Sequence, residues 1–158
     1  ADVLAICRTM AKPCILHAFP GIAQRLGCVS IHLPLPMLRS FKNPRDRFEV
    51  VGVSVHSVEE AAEAERLGAT YLTAGHIFAT RCKAGLEGRG LEFLQRVCHS
   101  VRLPVYAIGG ITPQNLPQVL RVGAAGGCMM SSLMTCADPS AYLQGLCTGD
   151  LEENEAAF

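Results

Sequence analysis

Two short loops in the second half of the chain combine residue types that bind anions. Gly109-Gly110 follows an apolar segment and precedes Ile111-Thr112, and Ser131-Ser132 follows the next apolar segment. Glycines leave backbone amides open to close approach, and the start of a helix beyond them adds partial positive charge. The serines add hydroxyl groups. Together the two loops predict a phosphate site, although a tight turn and a helix cap explain each loop taken alone.

A third loop, Gly75–Gly90, is rich in glycine and in polar groups. A loop of that length inside a compact domain is usually functional. His76 follows a predicted strand by one residue, where a general acid or base belongs; the alternative is a histidine that hydrogen-bonds within the core. Ser54 ends another predicted strand and is expected to point toward the same site. Three cations of the loop suit a phosphorylated substrate: Arg81, Lys83 and Arg89.

The composition excludes several classes of protein. The chain has 158 residues, 49% of them hydrophobic, and its 14 basic and 14 acidic side chains cancel. This balance is typical of one globular domain and provides no charged surface for nucleic acid or an anionic membrane. No apolar run reaches the roughly 18 residues of a membrane span. The eight cysteines form no C-x-x-C pair, so we interpret them as reduced, mostly buried thiols of a cytoplasmic protein without zinc.

Short apolar runs alternate with helical patterns, which predicts βα units. An Arg-Leu-Gly or Arg-Val-Gly triplet at residues 25–27, 66–68 and 121–123 marks a helix end before a strand. Repeated units of this kind predict a parallel sheet that fits either an open doubly wound fold or part of a (β/α)8 barrel. In both, ligands bind at the carboxyl ends of the strands. Six strands are predicted: Pro13–Leu16, Cys28–His32, Phe48–Ser54, Tyr71–Ala74, Val105–Ile108 and Gly126–Met130.

Local signals predict where two of the helices begin. Ser57 and Glu60 have the spacing of a capping box. Thr112 followed by Pro113 is a typical helix start, and Pro117 would then lie inside that helix and weaken it. A closing helix is predicted over residues 137–146.

His32 also ends a predicted strand. The residues that follow it, Leu33–Pro36, offer few polar partners, so His32 is given no functional role.

Several segments, in this order, resemble the thiamine phosphate synthase/TenI family. They are Val51–Ser57, the Glu- and Ala-rich helix after it, Gly75–Thr80, Gly85–Gly90 and Ala107–Pro113. The similarity runs from about Phe48 to Leu146 and more weakly back to Ala1. It implies a role in thiamine biosynthesis and a (β/α)8 TIM barrel. Such a barrel takes roughly 200 residues or more, so the chain is expected to be a fragment that lacks about the first two βα units.

The resemblance separates two branches with different chemistry. Thiamine phosphate synthases join a thiazole phosphate to a pyrimidine pyrophosphate with magnesium, and they usually have proline where this chain has His76. Thiazole tautomerases of the TenI branch have Gly-His there and the same tail as Gly85–Gly90. In that branch the histidine and an N-terminal cysteine move protons. The resemblance thus gives His76 the acid/base role and assigns phosphate binding to Gly110 and Ser131.

Two departures from the synthase pattern favour the tautomerase. The Asn-Asp pair of the synthases is replaced by His17-Ala18, and Leu33–Pro36 contains no carboxylate for magnesium. The predicted function is therefore a thiazole tautomerase, an isomerase acting on a thiazole carboxylate phosphate. The alternatives are thiamine phosphate synthase and a non-catalytic relative that binds a phosphorylated ligand.

The resulting predictions cover site, partners and domains. His76 is the catalytic residue; no metal and no cofactor are expected, except magnesium if the chain is a synthase. The partner is a small phosphorylated thiazole, not nucleic acid or membrane, and a homo-oligomer remains open. Residues 1–149 form one barrel domain and residues 150–158 an acidic tail. The substrate-binding residues are Ser54, Thr80, Lys83, Gly109, Gly110, Ser131 and Ser132.

Overall fold

The computed structural model describes residues 2–147, in which strands and helices alternate. The strands are β1 (Leu16–His17), β2 (Ser30–Pro34), β3 (Val50–Val55), β4 (Tyr71–Gly75), β5 (Val105–Ile108) and β6 (Gly126–Cys128). The helices are α1 (Asp2–Thr9), α2 (Pro20–Arg25), α3 (Leu35–Leu38), α4 (Val58–Arg66), α5 (Gly90–Ser100), α6 (Leu116–Arg121), α7 (Ser131–Thr135) and α8 (Pro139–Cys147). Short 3-10 turns cover Pro44–Asp46 and Arg81–Lys83. The six predicted strands and the closing helix are confirmed, and the predicted acidic tail lies outside the described residues.

The chain divides into two compact units. Unit 1 contains residues 2–73 and 100–104, and unit 2 contains residues 74–99 and 105–147. In unit 1, β1, β2 and β3 pair in parallel, with Leu16 opposite Ile31 and His32 opposite Gly52. In unit 2, β5 and β6 also pair in parallel.

These pairings confirm an α/β fold with parallel strands, as the βα rhythm predicts. The six strands do not make up a complete eight-stranded barrel. The single domain over residues 1–149 stays a prediction.

Each unit has an apolar core built from its strands and the inner faces of its helices. In unit 1 the largest fully buried side chains include Phe48, Ile31 and Leu33. In unit 2 they include Ile77, Leu94 and Val105. Parallel strands covered by helices are expected to be apolar on both faces, and most residues of β3 are buried and apolar.

Helix α4 begins as the capping box predicts. Ser57 is its N-cap, and the Ser57 side chain accepts a hydrogen bond of 3.1 Å from the Glu60 amide. The Glu60 carboxylate in turn accepts one of 2.6 Å from the His56 amide. The Glu60 amide in the first turn and the His56 amide, one residue before the N-cap, are satisfied in this way.

The predicted start of helix α6 is wrong. The helix begins at Leu116 rather than at Pro113, and Asn115 is its N-cap residue. Pro117 therefore occupies the first turn, where a missing amide proton does no harm, instead of the helix interior.

The prediction of mostly buried thiols is also corrected. Seven cysteine thiols are described and all seven are free: Cys82 is exposed, and the other six are half-buried, namely Cys7, Cys14, Cys28, Cys98, Cys128 and Cys136. Two of the half-buried cysteines, Cys14 and Cys28, lie in the loops that precede β1 and β2 rather than on an inward face of a strand or helix. Within residues 2–147, no helix is both long enough and apolar enough to cross a membrane.

Candidate functional site

A network of polar side chains in unit 1 is centred on His32. Its Nε2 atom lies 2.8 Å from Ser54 Oγ, and its Nδ1 atom lies 2.9 Å from the Tyr71 hydroxyl. Thr73 Oγ1 donates to Ser54 Oγ at 3.3 Å. A neutral imidazole offers one donor and one acceptor. A Ser54 proton donated to Nε2 and an Nδ1–H donated to Tyr71 satisfy both ring nitrogens.

Gly52 makes room for this network. It lies opposite His32 in the β2–β3 pairing. A Cβ atom at this position would overlap the Tyr71 ring and His32 Nδ1. The absence of a side chain at residue 52 is therefore what allows the Tyr71 hydroxyl to reach the imidazole from the next strand.

Burial keeps the His32 imidazole neutral. It lowers the pKa of His32 to about 4, with a further contribution from the neighbouring His17. The two rings are stacked with centroids 5.6 Å apart. At neutral pH His32 is thus a hydrogen-bonding group and not a cation. The expectation that His32 lacks polar partners is wrong, because its partners come from β3 and β4 rather than from the residues that follow it.

In unit 2 the Gly109-Gly110 loop packs directly against the start of the loop after β4. Both glycines have positive φ, +96° and +68°. A Cβ atom at Gly109 would overlap His76, and one at Gly110 would lie 2.7 Å from the Ala79 carbonyl oxygen and 2.8 Å from Phe78 Cβ. Glycine is required at both positions, by backbone conformation and by space.

Backbone hydrogen bonds join the same two segments. The Ile77 amide donates to the Ile108 carbonyl at 2.9 Å, and the Phe78 amide donates to the Gly109 carbonyl at 3.0 Å. His76 is thereby placed beside the glycine loop.

Asn115 holds the far side of the glycine loop. Its Oδ1 atom accepts a hydrogen bond of 2.9 Å from the Thr112 amide, and its Nδ2 atom donates one of 2.8 Å to the Gly110 carbonyl. Reasoning from the sequence missed this residue. The signal was present, since an asparagine one residue before a helix is a common capping and turn residue.

The two predicted serines lie at the start of α7. Ser132 Oγ donates to the Ile111 carbonyl at 3.5 Å, which connects this segment to the glycine loop. Ser131 is exposed, and its Oγ atom lies 3.4 Å from the Cys82 thiol. The structure therefore places Ser131, Ser132 and the Gly109–Thr112 loop in one neighbourhood of unit 2.

His76 carries an unsatisfied polar atom. Its Nε2 is buried and has no hydrogen-bond partner among the described residues. A buried polar group without a partner is unusual in a folded protein and calls for an explanation such as a ligand atom. This observation singles out His76 among the histidines described.

Thr80 and Lys83 lie on the 3-10 turn of the loop after β4. The Thr80 side chain accepts a hydrogen bond of 3.4 Å from the Cys82 amide and caps this turn. The Lys83 side chain is exposed, and both residues line a shallow concavity together with Arg81. Arg89, by contrast, stacks on the Phe93 ring at 5.3 Å.

The predicted site residues thus fall into two groups. Ser54 belongs to the His32 network of unit 1, and the other predicted residues lie in unit 2. Sequence reasoning missed Tyr71 and Thr73, which are 39 and 41 residues from His32, and no short-range signal connects them.

The family resemblance associates magnesium with synthases, and a magnesium site needs several oxygen ligands, mainly carboxylates and water. Within residues 2–147 there is no group of three or more His, Cys, Asp or Glu side chains able to hold a metal ion. The polar atoms around His32 are hydroxyl groups and imidazole nitrogens, whereas magnesium prefers carboxylate and water oxygens. The described residues do not fit a magnesium site.

The fold and these polar groups define a class of protein: an α/β protein of repeated βα units with hydrogen-bonding groups on its strands and on the loops that follow them. A family model described as thiamine monophosphate synthase matches residues 1–133. The chain therefore belongs to the thiamine monophosphate synthase family.

Individual relatives agree with this assignment. A thiamine-phosphate synthase of Clostridium acetobutylicum is 34% identical over 133 residues, covering 82% of this chain and 63% of the relative. One of Pyrococcus furiosus is 45% identical over 89 residues, covering 56% of this chain and 43% of the relative. The chain thus spans less than two thirds of the length of these relatives.

A solved structure shares the fold. The thiamine phosphate pyrophosphorylase of Pyrococcus furiosus superposes with a TM-score of 0.76 at 29% identity, covering 90% of this chain and 69% of that protein.

The prediction of a thiazole tautomerase is wrong. The relatives at 34% and 45% identity are both named thiamine-phosphate synthase, which favours the alternative. The prediction rested on His76 and the Gly85–Gly90 tail, and on the absence of the synthase carboxylates at His17-Ala18 and Leu33–Pro36. Similarity over 133 residues, 82% of this chain, outweighs differences at these few positions.

Proposed function

We propose that this chain belongs to a thiamine phosphate synthase, a transferase that joins a thiazole phosphate to a pyrimidine pyrophosphate and releases pyrophosphate. The observation that carries this proposal is the 34% identity over 133 residues to a thiamine-phosphate synthase. The geometry adds support, because both reactants carry phosphate and unit 2 contains an anion-binding type of loop.

The glycine loop and the two serines are proposed to bind the phosphate of a substrate. The positive φ values of Gly109 and Gly110 turn the chain sharply beyond β5, and successive backbone amides in such turns form concavities that bind anions. Ser131 and Ser132 lie close to this loop. Ser131 offers an exposed hydroxyl group, and the Ser132 hydroxyl becomes a donor to the phosphate when it exchanges its contact of 3.5 Å with the Ile111 carbonyl for one with the ligand. Exposed Lys83, with Thr80 beside it, supplies positive charge for a phosphorylated reactant.

His76 is proposed to hydrogen-bond a polar atom of a substrate. Its Nε2 atom is buried without a partner, so a bound ligand that supplies one would recover the lost hydrogen bond. The free state bears the penalty of the unsatisfied nitrogen, a pattern common at binding sites.

Ser54 is proposed to bind substrate from within the His32 network. The contacts with His32 and Thr73 hold its hydroxyl in one orientation. A preoriented hydroxyl loses less conformational freedom when a ligand binds.

Direct synthesis of thiamine phosphate tests the proposal. Purified protein from the native source sequence is incubated with the thiazole phosphate and the pyrimidine pyrophosphate, with magnesium present, and the product is separated by chromatography. We expect turnover, and we expect Ser131→Ala to lower kcat/KM by about tenfold. Ser140→Ala removes an exposed hydroxyl on α8 and is the matched control. Absence of product with both substrates present would exclude the synthase.

One observation favours a second candidate, a non-catalytic relative that binds a phosphorylated ligand. The positions where synthases carry Asn-Asp and a further Asp hold His17-Ala18 and Leu33–Pro36 in this chain, without a carboxylate. This candidate predicts that thiazole phosphate raises the melting temperature while no thiamine phosphate forms. The same incubation therefore separates the two functions.

A further inference from the structure

We infer that Asn115 is a positioning residue for the anion-binding loop: it sets the backbone of Gly110 and Thr112 from behind without touching the ligand. The inference rests on the proposed function only in taking Gly109-Gly110 as the phosphate-binding segment.

Two hydrogen bonds from one side chain bracket the loop. Asn115 Oδ1 accepts from the Thr112 amide at 2.9 Å, and Asn115 Nδ2 donates to the Gly110 carbonyl at 2.8 Å. The peptide units on both sides of Ile111 are thus connected to one planar amide group. Because the Ile111 side chain is buried, the bracketed segment is anchored on the core side as well.

Asn115 is the N-cap residue of α6, a position whose side chain usually caps the helix. Asparagine at an N-cap usually accepts a hydrogen bond from the amide two or three residues later. In α6 the Asn115 side chain makes no such bond. The residue two positions on is Pro117, which has no amide proton, and the Gln118 amide donates to the Asn115 main-chain carbonyl at 3.1 Å. The side chain is therefore available to the loop.

The loop needs this support because of its glycines. A Gly-Gly segment has little conformational preference of its own, and at this site both residues take positive φ. Fixing such a segment before a ligand arrives reduces the ordering cost of binding. If the loop relaxed, the hydrogen bond from Ser132 Oγ to the Ile111 carbonyl would also be lost.

The test measures inorganic phosphate affinity by titration calorimetry and the steady-state constants of the synthase reaction. Asn115→Ala removes both hydrogen bonds. Asn115→Asp retains the acceptor for Thr112 but replaces the donor to Gly110 with a carboxylate oxygen. Gln118→Ala is the matched control. It removes an exposed side-chain amide from the same helix, three residues after Asn115.

We expect both Asn115 variants to weaken phosphate binding by about tenfold, which corresponds to one or two net hydrogen bonds, and Gln118→Ala to change it less than about twofold. KM for the thiazole phosphate should rise with little change in kcat. A merely structural role would instead lower the active fraction, and therefore kcat, at unchanged KM. Amide exchange at Gly110 and Thr112 should become faster in Asn115→Ala while exchange in β5 stays the same.

Two outcomes would overturn the inference. One is a wild-type protein that does not bind phosphate, and the other is an Asn115→Ala variant that binds it as tightly as the wild type. If the second occurs while thiamine phosphate is made, the positioning role fails and the proposed function stands. If phosphate binding depends on Asn115 but no product forms, the positioning role stands and the synthase fails.

Discussion

The Nε2 atom of His32 lies 2.8 Å from the Oγ atom of Ser54, across the parallel pairing of β2 and β3. This contact links a residue at a strand end, which was predicted to bind substrate, to one that was given no role. Tyr71 binds the other ring nitrogen, so the imidazole is oriented from both sides. The orientation of Ser54 is a property of the network rather than of the serine alone.

The burial of His32 makes stability depend on pH. Its pKa is about 4 in the folded chain and near 6.5 when unfolded, so between these values the unfolded state binds more protons. The free energy of unfolding should fall as pH drops from about 6.5 to about 4, by about 1 kcal/mol at pH 5 after allowance for solvent screening. Chemical denaturation at pH 7.5 and pH 5 measures this change. His32→Gln should show a smaller drop, whereas the exposed His99→Gln should behave as the wild type does.

Gly52→Ala should disrupt the network. The added Cβ atom overlaps the Tyr71 ring and His32 Nδ1, so the strands or the ring must shift, at a cost of about 1–3 kcal/mol in unfolding free energy. Gly21→Ala on α2 meets no atom within 4 Å and serves as the control, with little change or a small gain in stability. Equal stability of the two variants in urea denaturation would contradict the overlap.

Replacement of His76 should separate stability from activity. His76→Leu removes the unpartnered buried Nε2 atom, so the melting temperature should stay the same or rise slightly. If His76 hydrogen-bonds a substrate, kcat/KM of the synthase reaction should fall by about tenfold or more. Calorimetry and the product assay measure the two effects. A variant that melts well below the wild type and retains its kcat/KM would show that the histidine is structural.

Thiol labelling should distinguish Cys82 from Cys98 and Cys128. Cys82 is exposed, whereas burial raises the pKa of Cys98 and of Cys128 and keeps those thiols protonated. Because the thiolate is the reactive form, iodoacetamide should modify Cys82 before Cys98 and Cys128. Peptide mapping by mass spectrometry at short reaction times measures the order, and Cys82→Ser removes the fast site. Faster labelling of Cys128 than of Cys82 would be inconsistent with the half-buried position of Cys128.

Local patterns were enough to locate most of the secondary structure. Apolar runs of strand length and Arg-Leu-Gly helix ends are short-range signals, and they placed all six strands within a few residues. The start of α6 was misplaced because Thr112-Pro113 and Asn115 are both acceptable beginnings of a helix. The Thr112 amide donates to Asn115, and this interaction holds residues 112–115 in a turn instead.

The sequence by itself determined the βα rhythm, the glycine and serine loops, the family and the residue types available for phosphate binding. These follow from contacts between residues close in the chain or from similarity to whole families. Only the tertiary structure decided that His32 binds Ser54 and Tyr71, that Asn115 turns toward Gly110, and that His76 Nε2 is left without a partner. Parallel pairing joins strands that are about 20 residues apart, so which polar groups meet depends on strand register and side-chain burial, which no local pattern encodes.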